Sequence, residues 1–310
     1  MMQMTRLWSC LLLPCLLSAA ACSSSSSGSR FGASGEDAGS STPADGGPGF
    51  DLGADGSHSS DGCSDAARLV YLFTSDGKIH SLNPKTKALS YLSLLSCKSS
   101  IVSVPNSMAV DRDAVAWVNY SDGKIYRVQT STGACISTAF AAPGWGRMGM
   151  GFSTEGTTKN ETLYISDVEG LNGRGLASVG LPTMTLTSIG GFGPDVSGLT
   201  PELTGTGDGR LFGFSVSGGN VPAKLGQIDK SIGSASNVVS LSDIRNVTAW
   251  AFSFWGGDFY LYHSSSSAST ATSRVTRYSP SSATSEIYIN DLGIRVVGAG
   301  VSTCAPTTPQ

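Results

Sequence analysis

A pattern that recurs at an interval of 46 residues constrains the fold of this chain more than any other feature. Residues 69–80 read LVYLFTSDGKIH and residues 115–126 read VAWVNYSDGKIY, so an apolar segment, an Asp-Gly turn and an alternating segment follow in the same order. Asp-Gly suits the two-residue type I′ turn of a β-hairpin, because both central residues of that turn need positive φ. Hairpins that repeat at this interval are typical of a β-propeller, whose blades are sheets of four antiparallel strands.

The composition of residues 63–310 agrees with an all-β domain. This part of the chain is rich in Gly, Ser, Thr and Val, and no sustained helical period runs through it. It carries 18 Lys and Arg against 17 Asp and Glu, so it is close to neutral. No basic stripe interleaved with aromatic residues is present, and we therefore expect no nucleic-acid partner.

The second repeat unit contains all four strands of a blade. Its inner, second, third and outer strands are predicted at residues 107–111, 115–120, 124–129 and 134–140. Further inner strands are predicted at residues 148–152, 202–206, 249–254 and 296–301.

The two ends of the domain complete one another. The segment 296–301 has no second strand after it, and the segment 68–74 has no inner strand before it. We therefore predict a propeller of five four-stranded antiparallel blades, closed by pairing of the N- and C-terminal strands, which also removes exposed sheet edges. Six blades are the alternative, if the long segment 181–201 contains another blade. Inner-strand glycines fit a narrow axis: Gly149, Gly151, Gly298 and Gly300.

The N-terminal residues predict export. Arg6 precedes an apolar run at 7–17 that is too short for a permanent membrane helix, and residues 1–21 are predicted to be a signal peptide. Small residues directly before Cys22 resemble a bacterial lipobox, so Cys22 is the predicted lipidation site; an ordinary secretory signal is the alternative. Residues 22–62 form a predicted disordered tether rich in Ser, Gly and Asp. Because Ser23 rather than Asp follows Cys22, the outer membrane is the expected location, its periplasmic or surface side remaining open.

Four cysteines lie in or at the start of the predicted domain, and an even number in an exported protein indicates disulfides. Three connectivities are possible. The five-blade arrangement favours Cys63–Cys304, because these residues occupy the place where a turn joins the first two strands of every other blade. Cys97–Cys135 then follows by elimination, either as a bridge between blades or, alternatively, with one of the two left as a free thiol.

No catalytic constellation is recognisable. The chain has no G-x-S-x-G elbow, no P-loop and no C-x-x-C pair, so we predict no catalytic residue, no metal and no cofactor. The acidic residues are dispersed, and Asp111 is the one that we place on an inner strand.

The predicted ligand site follows from propeller geometry. Loops that run from one outer strand to the next inner strand gather at one end of a propeller, and aromatic and arginine side chains occur in them. These groups suit an envelope protein, a peptide or a carbohydrate, although they could equally pack the loops. The predicted residues are Trp145, Arg147, Phe192, Arg245 and Arg295.

Several segments carry a resemblance to a known family, among them SMAVD at 107–111, ELTGTGDGRLFG at 202–213 and GAGVSTCAP at 298–306. Together they resemble an uncharacterised family of predicted lipoproteins of Gram-negative bacteria. The resemblance implies a lipid-anchored protein and carries no known activity. We expect a non-catalytic binding or scaffold module at the cell envelope, with a hydrolase or lyase acting on a small sugar or lactone as the alternative.

Overall fold

The computed structural model describes residues 62–97, 100–156, 158–168, 173–268 and 270–310. The predicted signal peptide, Cys22 and the tether up to residue 61 lie outside these residues. In these ranges, helix is confined to two 3₁₀ turns, Ala66–Arg68 and Pro194–Val196. Within the described ranges, a helix with the length and apolar character needed to span a bilayer is not found.

The described residues form twenty strands in five four-stranded antiparallel sheets, so the fold is a five-bladed β-propeller. In chain order the strands are β1 (Val70–Thr74), β2 (Lys78–Leu82), β3 (Leu89–Leu94), β4 (Pro105–Val110), β5 (Val115–Tyr120), β6 (Ile125–Gln129), β7 (Cys135–Ser137), β8 (Met148–Thr154), β9 (Glu161–Asp167), β10 (Leu176–Gly180), β11 (Thr185–Gly190), β12 (Thr200–Gly205), β13 (Leu211–Val216), β14 (Ala223–Ile228), β15 (Ala235–Leu241), β16 (Ala249–Trp255), β17 (Asp258–Ser264), β18 (Arg274–Ser279), β19 (Thr284–Ile289) and β20 (Val296–Val301).

The first blade is shared by both ends of the domain, in the order β20-β1-β2-β3. β20 pairs antiparallel with β1, with Val301 opposite Val70 and Ala299 opposite Leu72. The predicted closure and the count of five blades are therefore confirmed. The segment 181–201, which left room for a sixth blade, holds β11 and one of the 3₁₀ turns before β12 begins.

The order of the strands gives the ring two distinct ends. Because each blade is an antiparallel meander, its first-to-second and third-to-fourth turns lie at one end, and its second-to-third turn lies at the other. We call the first end the closure face, because the C-terminal tail after β20 lies there. The second is the crossover face, because the chain passes there from each outer strand to the next blade. The ligand site predicted from the sequence lies on the crossover face.

Apolar side chains fill the spaces between neighbouring blades. Each of the five blade boundaries has its own buried cluster among the described residues, such as Trp117, Met150 and Phe152 between the second and third blades. A blade that has neighbours on both sides buries both of its faces, which explains why β5 and β13 are buried along their whole length. The core is thus divided among the boundaries rather than placed in one centre.

Glycine is required where inner strands approach one another. A Cβ on Gly149 of β8 would lie 2.4 Å from the carbonyl oxygen of Pro201 in β12. A Cβ on Gly298 of β20 would lie 2.7 Å from the backbone nitrogen of Met108 in β4. Neighbouring inner strands therefore pack backbone against backbone, which confirms the narrow axis predicted from the glycine pairs.

The Cys63–Cys304 disulfide is present, with a Cα–Cα distance of 5.8 Å and a sequence separation of 241 residues. It joins the segment before β1 to the segment after β20, where the other blades have a covalent turn. The hydroxyl of Ser302 adds a hydrogen bond to the carbonyl of Ala67 at 2.6 Å. The predicted bridge and its position are both confirmed.

The Cys97–Cys135 disulfide is also present, with a Cα–Cα distance of 5.0 Å, and it crosses from the first blade to the second. Sheet twist of roughly 20–25° per strand tilts each outer strand away from the axis, so its end reaches the following blade. Beside the bridge, the Ser96 N–H donates to the carbonyl of Gly133 at 2.9 Å. The Ala235 N–H donates to the carbonyl of Phe192 at 2.9 Å at the equivalent boundary of the third and fourth blades. The bridge thus reinforces a contact that recurs around the ring.

Candidate binding groove

Two cavities on the closure face share the side chains of Arg210 and Gln227. One, of about 430 Å³, lies between the fourth and fifth blades. The other, of about 510 Å³, lies between the third and fourth blades. Cavities of this size are typical of ligand sites. We call the two together the closure-face groove; its aromatic part is lined by Arg210, Phe212, Gln227, Asn237, Phe254, Phe259, Tyr278 and Thr307, and its polar part by Glu155, Tyr164, Arg210, Gln227, Asp229, Lys230 and Ser231.

Phenylalanines from both blades form the floor of the aromatic part. The ring centroids of Phe212 and Phe259 are 4.8 Å apart in an edge-to-face arrangement, and those of Phe254 and Phe259 are 4.9 Å apart. All three rings are at least 92% buried. A floor packed in this way holds its shape before a ligand arrives, because the rings fix one another.

Arg210 covers one edge of this floor. Its guanidinium lies 5.4 Å from the ring centroids of both Phe212 and Phe254, which is within cation–π range. Its Nη2 is 2.7 Å from Oδ2 of Asp208. Burial by itself would raise the pKa of Asp208, but hydrogen bonds from Arg210 and Thr206 hold it below its ordinary value. The Asp208 carboxylate therefore stays ionised and fixes the guanidinium over the rings.

Two side-chain amides in the groove have no hydrogen-bond partner within the described part of the chain. Gln227 on β14 is directly opposite Phe212 on β13, so its amide stands beside the aromatic floor. Asn237 is exposed on β15 and lines the same cavity. Each amide offers donors and an acceptor to a ligand.

The polar part of the groove is organised around Lys230. Its ammonium donates to the carbonyl of Thr154 at 2.7 Å and lies 3.9 Å from Oε2 of Glu155. The hydroxyl of Tyr164 donates to Oε1 of Glu155 at 3.0 Å. Burial lowers the pKa of Lys230, and the Glu155 carboxylate partly opposes that shift. The charge of Lys230 is thus compensated within the groove.

The C-terminal tail forms the rim of the aromatic part. The Gly256 N–H donates to the carbonyl of Pro306 at 2.7 Å, and Thr307 lines the cavity. Gly257 has a φ of 90°, and a Cβ there would lie 3.3 Å from Cδ of Pro309. The turn between β16 and β17 therefore holds the tail by a backbone contact that leaves space for proline.

Most of the side chains predicted to bind a ligand lie on the crossover face and already make contacts with residues around them. Trp145 is buried in the cluster between the second and third blades, and Phe192 is partly buried in the next cluster. Arg245 donates to the carbonyls of Ser242 and Asn220. Arg295 donates to Thr248, Ser264 and Ser266, and Arg147 is exposed. Trp145 also lines a surface cavity with residues 121–124.

Sequence reasoning missed the groove because it assigned the residues concerned to strands and did not consider which of them meet between blades. Arg210 and Phe212 follow an Asp-Gly turn, and Phe254 and Phe259 flank Gly256-Gly257. An arginine and three phenylalanines next to the first turns of two consecutive blades are a usable signal. It becomes visible only after the blades are aligned and their shared boundary is considered.

Buried carboxyl groups lie near the axis, away from the groove. Glu202 on β12 of the fourth blade accepts a hydrogen bond of 2.8 Å from the hydroxyl of Ser107 on β4 of the second blade. These blades are not neighbours, so the bond crosses the axis. Asp111 lies one residue beyond β4, whereas Glu202 lies within an inner strand and was missed as an axial acid. Burial raises the pKa of Glu202 well above its ordinary value of 4.5.

A second such group, Glu161, lies at the closure face. Burial raises its pKa to about 7, although hydrogen bonds from Arg112 and Thr303 oppose that shift. The Arg112 N–H donates to it at 2.9 Å and the Thr303 hydroxyl at 2.8 Å, so Glu161 ties the second and first blades to the third. These contacts give the carboxyl a structural role in closing the ring.

Replacing Glu202 with glutamine should change how stability depends on pH. A carboxyl whose pKa is raised by folding binds more protons in the folded state above pH 4.5, so its contribution to stability falls as the pH rises toward the folded pKa. Glu202→Gln removes this loss. Urea unfolding at about pH 5 and about pH 8 should show the variant gaining on the wild type at the higher pH. A stability difference that is the same at both pH values would contradict this assignment.

The described residues contain no group of three or more His, Cys, Asp or Glu side chains arranged to hold a metal ion. The geometry described above defines a five-bladed β-propeller with a groove on its closure face.

No protein-family model matches the chain, and no curated protein matches it either. Among solved structures, it is similar to hydrazine synthase of Kuenenia stuttgartiensis, at 12% identity and a TM-score of 0.42 over 75% of this chain and 68% of the other. It is similar to a protein of unknown function from Bacteroides caccae, at 12% identity and a TM-score of 0.42 over 75% and 97%. It is also similar to the extracellular domain of a hybrid two-component system from B. thetaiotaomicron, at 12% identity and a TM-score of 0.38 over 74% and 29%. No activity is transferred from these likenesses.

Proposed function

We propose that the protein is an exported, lipid-anchored propeller that acts as a non-catalytic binding module at the cell envelope. The observation that carries the proposal is the closure-face groove. There the side-chain amides of Gln227 and Asn237, which have no hydrogen-bond partner in the described residues, lie beside the packed aromatic floor. Ligand sites are typically apolar cavities with a few polar groups that fix orientation. The groove meets this description with side chains from three blades.

The proposed location rests on separate features. Two disulfides fit an oxidising compartment outside the cytoplasm. The lipobox-like residues before Cys22, the Ser/Gly/Asp-rich tether and the resemblance to predicted lipoproteins favour attachment to a membrane, with the outer membrane as the proposed site.

The groove is preferred to the crossover face because of what its polar groups are doing. Arg245 and Arg295 are engaged with backbone carbonyls of their own surroundings, and Trp145 is buried between blades. Gln227 and Asn237 have no such partners in the described residues. A group with unused hydrogen-bonding capacity can be satisfied by a ligand at no loss of internal contacts.

Photocrosslinking in cells tests the proposal. A photoreactive phenylalanine analogue in place of Asn237 should give adducts that are recovered with the envelope fraction. The matched control places the same analogue at Asn290, an exposed asparagine on the crossover face. Adducts at position 290 and none at position 237 would move the binding site to the crossover face and overturn the assignment.

A further inference from the structure

We infer that the closure-face groove takes an extended, proline-containing peptide without net charge; this rests on the binding function proposed above. The first evidence for such a ligand is the protein's own C-terminal segment, which reads Ala-Pro-Thr-Thr-Pro-Gln over residues 305–310. This segment already lies at the rim of the groove. The closure face therefore already binds one proline-containing segment of the protein itself.

The tail is held by the features that a proline-rich segment needs. Proline has no N–H to donate, so such a segment binds through its carbonyls and its rings. The carbonyl of Pro306 accepts from the Gly256 N–H, and Pro309 packs on Gly257, where a side chain would intrude. Thr307 is the tail residue that lines the aromatic cavity, and about 430 Å³ of space is left beside it for a second segment.

The supply of hydrogen-bonding groups favours a peptide over a sugar. In the aromatic part, the amides of Gln227 and Asn237 and the hydroxyls of Tyr278 and Thr307 have no hydrogen-bond partner among the described residues, and Arg210 is engaged by Asp208. A sugar ring would bring several hydroxyl groups against the phenylalanine floor, and each one without a partner would cost binding free energy. A proline residue brings one carbonyl and an apolar ring. Aromatic-lined grooves recognise proline-rich segments for this reason.

Charge in the groove favours a neutral segment. The cations Arg210 and Lys230 each face a carboxylate, that of Asp208 and that of Glu155. An anionic ligand would have to displace these internal partners. The Asp229 carboxylate accepts hydrogen bonds from the hydroxyl and N–H of Ser231, and its charge is exposed to solvent, which screens it. Neither end of the groove presents an uncompensated cation to a carboxylate or phosphate.

Fluorescence anisotropy on the full-length protein in detergent tests the inference. The probe is a labelled, uncharged synthetic peptide of sequence Ala-Pro-Thr-Thr-Pro-Ala-Pro, compared with the same peptide in which every proline is alanine. The proline peptide should bind at least about tenfold more tightly. Gln227→Ala should weaken its binding about tenfold, and Asn237→Gly, which suits the positive φ of that position, should weaken it similarly. Gln129→Ala, on the third strand of the second blade, is the matched control and should leave binding unchanged.

The outcomes separate this inference from the proposed function. Equal binding of the two peptides, or binding that Gln227→Ala and Asn237→Gly leave unchanged, overturns the peptide assignment. A neutral hexose oligosaccharide that binds and loses affinity in Gln227→Ala would also overturn it while leaving the groove as a binding site. If Gln227→Ala affects neither probe and position 237 gives no adduct in cells, the proposed function fails as well.

Discussion

Replacing Gly205 with alanine should destabilise the domain by about 3 kcal/mol and lower its soluble yield sharply. The new Cβ would lie 2.0 Å from the carbonyl oxygen of Phe152 and 2.7 Å from Cβ of Ser153. Both atoms belong to residues of β8 and are fixed to its backbone, so neither can move aside as the end of a flexible side chain could. Because the ring is closed, the two inner strands cannot separate without disturbing the remaining boundaries.

Gly218→Ala is the matched control for this substitution. Gly218 lies in the loop between β13 and β14, and a Cβ there would meet nothing within 4 Å. Its effect on the free energy of unfolding should stay within about 1 kcal/mol, because alanine at this open position acts mainly by lowering the conformational entropy of the unfolded chain. Urea unfolding measures both variants. A Gly205→Ala protein as stable as Gly218→Ala would contradict the close approach of the inner strands.

Removing the closing disulfide should cost more stability than removing the bridge between blades. In the loop-entropy model, a closed loop of 241 residues contributes about 5.5 kcal/mol, and one of 38 residues about 4 kcal/mol. Cys63→Ser with Cys304→Ser also frees the pairing of β1 with β20, on which the first blade depends. This protein, which we call the closure variant, should therefore unfold at the lowest urea concentration of the series.

The companion variant is Cys97→Ser with Cys135→Ser, which leaves the strands of every blade connected as before. Both proteins are measured under non-reducing conditions against the wild type. A companion variant that is less stable than the closure variant would contradict the role assigned to Cys63–Cys304. The comparison is informative because each pair of substitutions removes the same chemical group.

The architecture was predictable because its determinants are local and repeated. The Asp-Gly turns at 76–77 and 122–123 fix equivalent hairpins, and β20 has no neighbour in sequence to pair with. The bridge between Cys97 and Cys135 was harder to place, because a flat drawing of a blade omits the twist that carries β3 to the next blade. Register and twist accumulate over four strands and are not visible in any one of them.

The candidate site was less predictable because it is assembled between blades. Trp145 stands in a glycine-rich loop and suggests an exposed ring, yet its side chain is 6% exposed and packs between blades. The groove instead combines Phe212 and Phe259, which are 47 positions apart, with a tail from the end of the chain. Such a combination follows from the ring arrangement and not from any local motif.

The position of the closing disulfide has a mechanical consequence. A pull on the chain before Cys63 is transmitted to β1 through the backbone and to β20 through the sulfur–sulfur bond, at the same end of both strands. Neither strand can be peeled from the other by such a load, because the two are loaded together. Tension on the chain before Cys63 would therefore be shared by the whole ring. A load between that chain and a ligand bound on the closure face would not open the first blade.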